Sequence, residues 1–190
     1  VYEPRGAYQF YAARIQPAGV GELALAFEKL KNRLTAEGLF DEERKRPLPA
    51  FPRRVGVVTS STGAAIRDVA HVIQRRAPGI QIVLAPARVQ GHGAAEEIAR
   101  SIDNLNRCGD IDIIIVGRGG GSPEDLWCFN EEIVARAIYA SSIPIISAVG
   151  HEVDYSISDY VADYRAPTPS AAAEIVAQEH GKLSERVVEL

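Results

Sequence analysis

The chain has 190 residues, 46% of them apolar, and a formal net charge of −4. That apolar share supports a packed core and excludes a disordered segment. Its two cysteines, Cys108 and Cys128, exclude a disulfide framework or a cysteine zinc cluster, no apolar run reaches membrane-span length, and net acidity argues against a general nucleic-acid binder.

Methionine is absent, so the chain is expected to be a piece of a longer protein. Without a signal peptide it is expected to be cytoplasmic. Only Lys29, Lys31, Lys45 and Lys182 are lysines; the other basic residues are arginines. Arginine-rich usage suits bidentate phosphate contacts, and codon bias produces it equally well. The run Arg44-Lys45-Arg46, with Arg53-Arg54, reads as a solvated linker.

In chain order, residues 7–16 alternate aromatic and polar side chains as a half-buried strand does. With nothing before them to pair with, they read as the last strand of an N-terminal domain. Gly21 to Glu37 carries Leu23, Leu25, Phe27, Leu30 and Leu34 at helical spacing and ends at Gly38. Residues 41–53, with Pro47, Pro49 and Pro52, read as a linker and a domain boundary. Then strands and helices alternate. Val55–Thr59, Gln81–Ala85, Ile111–Val116 and Ile143–Ala148 are strands. Thr62–Ala77, Ala94–Asn106 and Asn130–Ala140 are helices, the last capped by Asn130. Tyr155–Tyr164 reads as a short helix, and Thr168 caps a final amphipathic helix. The predicted fold class is α/β: an open, mainly parallel sheet with a four-stranded core and helices on both faces. A strand and helix from an N-terminal domain precede it, and the start of a long helix follows. The expected units are residues 1–18, a connecting helix and linker at 19–53, the α/β domain at 54–168 and the terminal helix at 169–190.

In such a sheet, ligands bind beyond the carboxyl ends of the strands. The third strand runs into Gly117-Arg118-Gly119-Gly120-Gly121-Ser122. Glycines supply positive φ and backbone N–H groups that face an anion, and an arginine adds a charged fork suited to phosphate. The alternative is a loop that turns tightly for packing alone. Ser122-Pro123-Glu124-Asp125 then reads as a helix start. After the first strand, Thr59, Ser60, Thr62 and Gly63 make either a second anion cradle or an ordinary helix cap, and Asp68 follows on that helix. His92 reads as an exposed loop histidine, and His71 and His180 receive no role. After the fourth strand, Gly150-His151-Glu152-Val153-Asp154 places a histidine near a carboxylate, a pair that moves protons near neutral pH. These residue types also bind metals, but the spacing is not the helical zinc pattern. Arg165 lies in a rigid Ala-Pro-Thr-Pro segment. The prolines either start the last helix only or also fix Arg165 near the site. Trp127 reads as core packing, with base stacking as the alternative.

These motifs resemble the large subunit of bacterial exodeoxyribonuclease VII. The likeness rests on Gly117–Ser122 with Glu124-Asp125-Leu126-Trp127 and Phe129-Asn130, on Ser147–Glu152 with Asp154, and on Ala162-Asp163 followed by Arg165–Glu174. Val55–Ser60 with Thr62–Ala65 and Asp68 resembles it as well. The resemblance implies an exonuclease that cleaves single-stranded DNA from both ends, releases 5′-phosphorylated oligonucleotides and needs no divalent metal. It implies Asp68, Arg118, His151 and Asp154 as catalytic residues. Residues 1–18 become the tail of an OB-fold, and residues 169–190 the root of a coiled coil that binds multiple copies of a small subunit. The competing class is a nucleotide- or phosphate-binding regulatory module without catalysis.

Overall fold

The computed structural model describes residues 20–120, 124–149 and 155–188. Five strands form one sheet: β1 (Arg54–Thr59), β2 (Gln81–Pro86), β3 (Ile113–Gly117), β4 (Ile145–Ala148) and β5 (Tyr164–Arg165). All are parallel, in the order β2-β1-β3-β4-β5. The inner strands are buried on both faces, which explains why β3 reads Ile-Ile-Ile-Val rather than alternating. The sheet therefore has the expected class with one strand more. β5 escapes notice because two residues carry no period. The segment read as one helix from Tyr155 to Tyr164 is a short helix, α5 (Ile157–Val161), followed by the start of β5.

One face packs against α2 (Ala64–Arg76) and α6 (Pro169–Val188). Ala172, Ala173 and Val176 of α6 are fully buried there, so the first half of this helix belongs to the α/β core. The other face is covered by α3 (Ala94–Cys108), α4 (Glu132–Ala140) and α5, with Leu34 from α1 (Val20–Ala36) and Leu39 just after it. Gly38, at φ 78°, ends α1 as expected. The Leu39 amide reaches back to the Leu34 carbonyl at 3.0 Å and the Gly38 amide to Thr35 at 2.9 Å, the paired bonds of a left-handed helix stop. The strand read at residues 7–16 lies outside the described residues.

Two local expectations are corrected. Asn130 does not cap α4; Glu131 holds that position. Asn130 still belongs to a 3-10 stretch, Glu124–Asn130, and its Oδ1 accepts from the Ile157 amide at 2.9 Å. Arg44 and Arg46 of the basic run are not solvated linker residues, while Arg53 is exposed. The Arg46 guanidinium forks onto Asp163, donating from Nη2 at 2.8 Å and Nε at 3.1 Å, and its Nη1 reaches the Ser141 carbonyl at 2.6 Å. Arg44 donates to the Val161 carbonyl at 2.8 Å and lies over the Tyr139 ring. Arginine serves here because its planar fork meets carboxylate and carbonyl geometry at once. Among the described residues, no helix is long and apolar enough to cross a membrane.

Candidate functional site

The strand order reverses direction between β1 and β3, and there the loops after the two strands part. Gly119, two residues past the end of β3, faces the start of α2: a Cβ on it would lie 3.9 Å from the Ala64 Cβ. A cleft of about 170 Å³ opens at this end of the sheet. Asp68 of α2 lines it, with Arg118, Gly119 and Gly120 from the glycine loop, Val149 beyond β4, and the Pro167–Ser170 turn into α6. The N-terminal ends of two helices, the 13-residue α2 and the 20-residue α6, thus approach one space. Their dipoles favour negative charge there. Thr168 caps α6, as read, by accepting from the Ala171 amide at 3.1 Å.

Arg118 is only 6% exposed, and its donors turn on its own surroundings. Nε donates to the Gly119 carbonyl at 3.0 Å and Nη2 to Gly120 at 3.0 Å. Nη1 donates to Asp125 at 2.9 Å and to Val89, beyond β2, at 3.4 Å. The Asp125 carboxylate stands 3.9 Å from Nη2. The guanidinium therefore lashes the glycine loop into shape and leaves a buried positive charge beside the cleft. It draws loop carbonyls toward itself, away from any anion that enters.

The glycines act differently from the sequence reading. Gly117, Gly119 and Gly120 are not in the left-handed region. Gly117 is the last residue of β3, and a Cβ there would lie 2.6 Å from the Ala148 carbonyl oxygen on β4. Close strand approach demands it, whereas at Gly120 a Cβ would meet open space, which leaves room for a ligand.

Of the other predicted residues, Thr59 ends β1 fully buried, and its hydroxyl has no hydrogen-bond partner among the described residues. Ser60 and Thr62 are not brought into the cleft; they border a neighbouring depression with Arg88 and Glu97. Gly63 is the N-cap of α2 without a side-chain bond. Arg165 does not line the cleft. It pairs in register with Ser147 at the β4 edge, stands 3.8 Å from Asp159 and lies against the Tyr155 ring. His151, Asp154, Gly121 and Ser122 lie outside the described residues. The chain joins His151 and Asp154 to Val149 on one side and to Tyr155 on the other. Sequence reasoning missed the cleft positions of Thr168 and Ser170; their signal was the hydroxyls flanking Pro169, read only as a helix start.

Asp159 supports this end of the sheet. Fully buried, it accepts from the Ser147 hydroxyl at 2.5 Å and from the Ser156 amide at 2.8 Å. One carboxylate thereby ties the end of β4 to the start of α5. His92 and His71 are exposed.

Cys128 stands 3.3 Å from the Val89 carbonyl that Arg118 also uses. Burial pushes its thiol up to about 11, against the nearby Arg118 charge, so it stays protonated at neutral pH. Cys108 is exposed. Iodoacetamide at neutral pH is therefore expected to label Cys108 and spare Cys128 in the folded protein, as read by peptide mass spectrometry. Equal labelling would mean that the loops around Arg118 open readily.

The fold and cleft define a class: a doubly wound α/β protein with a cleft at the switch point of its sheet. The chain belongs to the exonuclease VII large-subunit family, whose model, described as "Exonuclease VII, large subunit", matches residues 39–190. It is 62% identical to the exodeoxyribonuclease 7 large subunit of Geobacillus kaustophilus, over 100% of this chain and 42% of that protein. It is 63% identical to that of Syntrophotalea carbinolica, over 98% of this chain and 47% of the other. With the Vibrio cholerae protein the identity is 59%, over 95% and 40%. The chain thus spans less than half the length of these relatives. A lac repressor dimer bound to operator overlays with a TM-score of 0.36 at 19% identity, covering 66% of this chain and 38% of that one, a likeness too weak to argue from.

Proposed function

We propose that this chain carries the hydrolytic unit of an exonuclease that cleaves single-stranded DNA from both ends and releases 5′-phosphorylated oligonucleotides. One observation carries the reading: a buried guanidinium, a carboxylate and the N-terminus of α6 share one cleft, with the start of α2 beside it. Phosphodiester hydrolysis needs charge neutralised on the phosphoryl oxygens, a positioned water and a protonated leaving oxygen. Arg118 supplies fixed charge and holds the glycine loop open to a sugar-phosphate backbone. The helix N-termini add to that field. Thr59 and the Gly117–Ser122 loop border the phosphate, with Arg165 close by. Asp68, across from the loop, assists proton transfer or holds the water. His151 acts as general acid or base, typically worth about 10²–10⁴-fold in rate, and Asp154 orients it. In this reading no divalent metal is needed, because the protein provides the positive charge. The whole enzyme adds single-strand contacts ahead of residue 20 and copies of a small subunit along the continuation of α6.

The discriminating experiment offers single-stranded DNA, duplex DNA and mononucleotides to the assembled large and small subunits. Turnover of the single strand alone supports the reading. Thermal stabilisation by mononucleotides without turnover of any DNA would instead make the cleft a regulatory nucleotide site.

A further inference from the structure

Beside the cleft, the N-terminus of α2 stands open. Gly63, its N-cap, makes no side-chain bond, and the amides of Ala64, Ala65 and Ile66 find no acceptor among the described residues. Such amides point outward along the helix axis and have no partner within the helix. Acids commonly stand in the first turn of a helix to oppose its dipole, but α2 has none there. Instead Arg67 follows, exposed, and donates to the neutral Thr62 carbonyl at 2.8 Å. Among the described residues no carboxylate pairs with it. A second observation lies beneath the helix. Thr59 is 1% exposed, and its hydroxyl is unpaired among the described residues. Side chains alternate along β1, so Thr59 shares the face of Val55 and Val57, on which α2 packs. Its hydroxyl is therefore aimed at the opening turn of α2. Buried hydroxyls are paired in native proteins, and one left open marks where a bound group completes the set. Gly119 forms the remaining wall. A Cβ on it would stand 4.0 Å from the Ala65 nitrogen, and its carbonyl is turned onto Arg118 Nε at 3.0 Å rather than offered to these amides. Gly119 also lines the cleft, so the end of α2 and the cleft are continuous.

We propose that the open end of α2 is a second phosphate subsite, which holds the phosphate next along the strand from the one in the cleft. The amides, the Arg67 guanidinium and the Thr59 hydroxyl all supply donors, and the phosphate oxygens of a diester only accept. The proposal rests on the reading of the cleft as the place where a DNA strand is cut. It adds to that reading a grip on two consecutive phosphates, which aligns one diester with Asp68 and Arg118. A mononucleotide brings a single phosphate and fills only one of the two places. The subsite thereby makes a continuing strand the preferred substrate.

The test uses the assembled large and small subunits. Gly63→Asp places a carboxylate at the N-cap, where the backbone, at φ −69°, admits any residue and the Ser60 hydroxyl beside it can rotate away. The new cap occupies the amides and repels phosphate. It is expected to raise the melting temperature by about 3 °C and KM for an oligothymidylate about ten-fold. On a strand whose linkages alternate between phosphodiester and uncharged methylphosphonate, the wild type is expected to lose a similar factor. Gly63→Asp is expected to lose little more there, because the neighbouring charge is already gone. Thr59→Val keeps the shape without the hydroxyl and is expected to raise KM about three-fold. Arg67→Ala is expected to weaken binding of a nuclease-resistant phosphorothioate strand and to flatten log affinity against log salt by about 0.7. A Gly63→Asp enzyme with a raised melting temperature and KM within about two-fold of wild type overturns the subsite. Penalties that multiply on the alternating strand overturn it as well. Should Gly63→Asp not fold, an unchanged salt slope in Arg67→Ala with wild-type KM in Thr59→Val overturns it. If no form cuts DNA, the hydrolytic reading fails by itself, and binding of the phosphorothioate strand to Arg67→Ala still decides the subsite.

Discussion

Replacing Arg118 by lysine is expected to cost the assembled enzyme at least about 10³-fold in single-strand cleavage, with alanine no worse. A free cation aimed at a phosphate would be partly replaced by another cation. Arg118 is not such a group, because its planar head joins the carbonyls of Gly119, Gly120, Asp125 and Val89 simultaneously. Lysine has three donors on a flexible stem and cannot span that set. Carbonyls left unpaired in the interior cost about 1–3 kcal/mol each, so the loop is expected to rearrange and its carbonyls to swing toward the cleft. Initial rates on end-labelled single strands check the rate, and the melting temperature separates local rearrangement from unfolding. A lysine variant within ten-fold of wild type would mean that Arg118 acts by charge alone.

The largest effect on stability is expected at Asp163. Its side chain is 1% exposed and accepts from the Arg46 amide and guanidinium and from the Ile145 amide. It fastens the segment after α1 to the first residue of β4. Burial by itself raises its carboxyl, but the hydrogen bonds from Arg46 and the Ile145 amide outweigh that and hold it below the usual carboxylate range. Asp163→Ala leaves Arg46 without its carboxylate and the Ile145 amide without an acceptor. About 3 kcal/mol of stability is expected to be lost, roughly 10 °C in melting temperature. Because the folded carboxyl ionises at lower pH than the unfolded one, its contribution is present above about pH 4 and drains away as pH falls further. The wild type and Asp163→Ala should therefore converge in stability in acid. Asp103→Ala, which breaks an exposed pair with Arg107, is the control and is expected to change stability by less than about 0.5 kcal/mol.

Much of the fold was legible because buried parallel strands are continuous apolar runs and the helices between them carry clear periods. β3, α2, α3 and Gly38 came within a few residues of their observed bounds for that reason. β5 was not legible, since two residues have no period and their place depends on the neighbouring strand. The pairing of Arg44 and Arg46 was hidden as well, because their partners Val161 and Asp163 lie more than a hundred residues away in sequence. At the site, the rule that ligands collect at strand ends placed Asp68 and Arg118 in one cleft without coordinates. Ser60 and Thr62 follow the same rule in sequence but border a separate depression with the residues after β2. Composition spoke of glycine freedom, while Gly117 answers to the Ala148 carbonyl and Gly120 to open space. Arg118 was recognised as central, but only geometry revealed that its donors are occupied by backbone carbonyls.

The measurement closest to the central claim is release of acid-soluble fragments from single-stranded DNA by the assembled subunits in excess EDTA, with the new ends identified. The account predicts undiminished release of oligonucleotides bearing 5′-phosphates, lost in Asp68→Ala and Arg118→Ala variants that remain folded. Release that stops in EDTA and returns with a divalent metal, or persists in those variants, would contradict it.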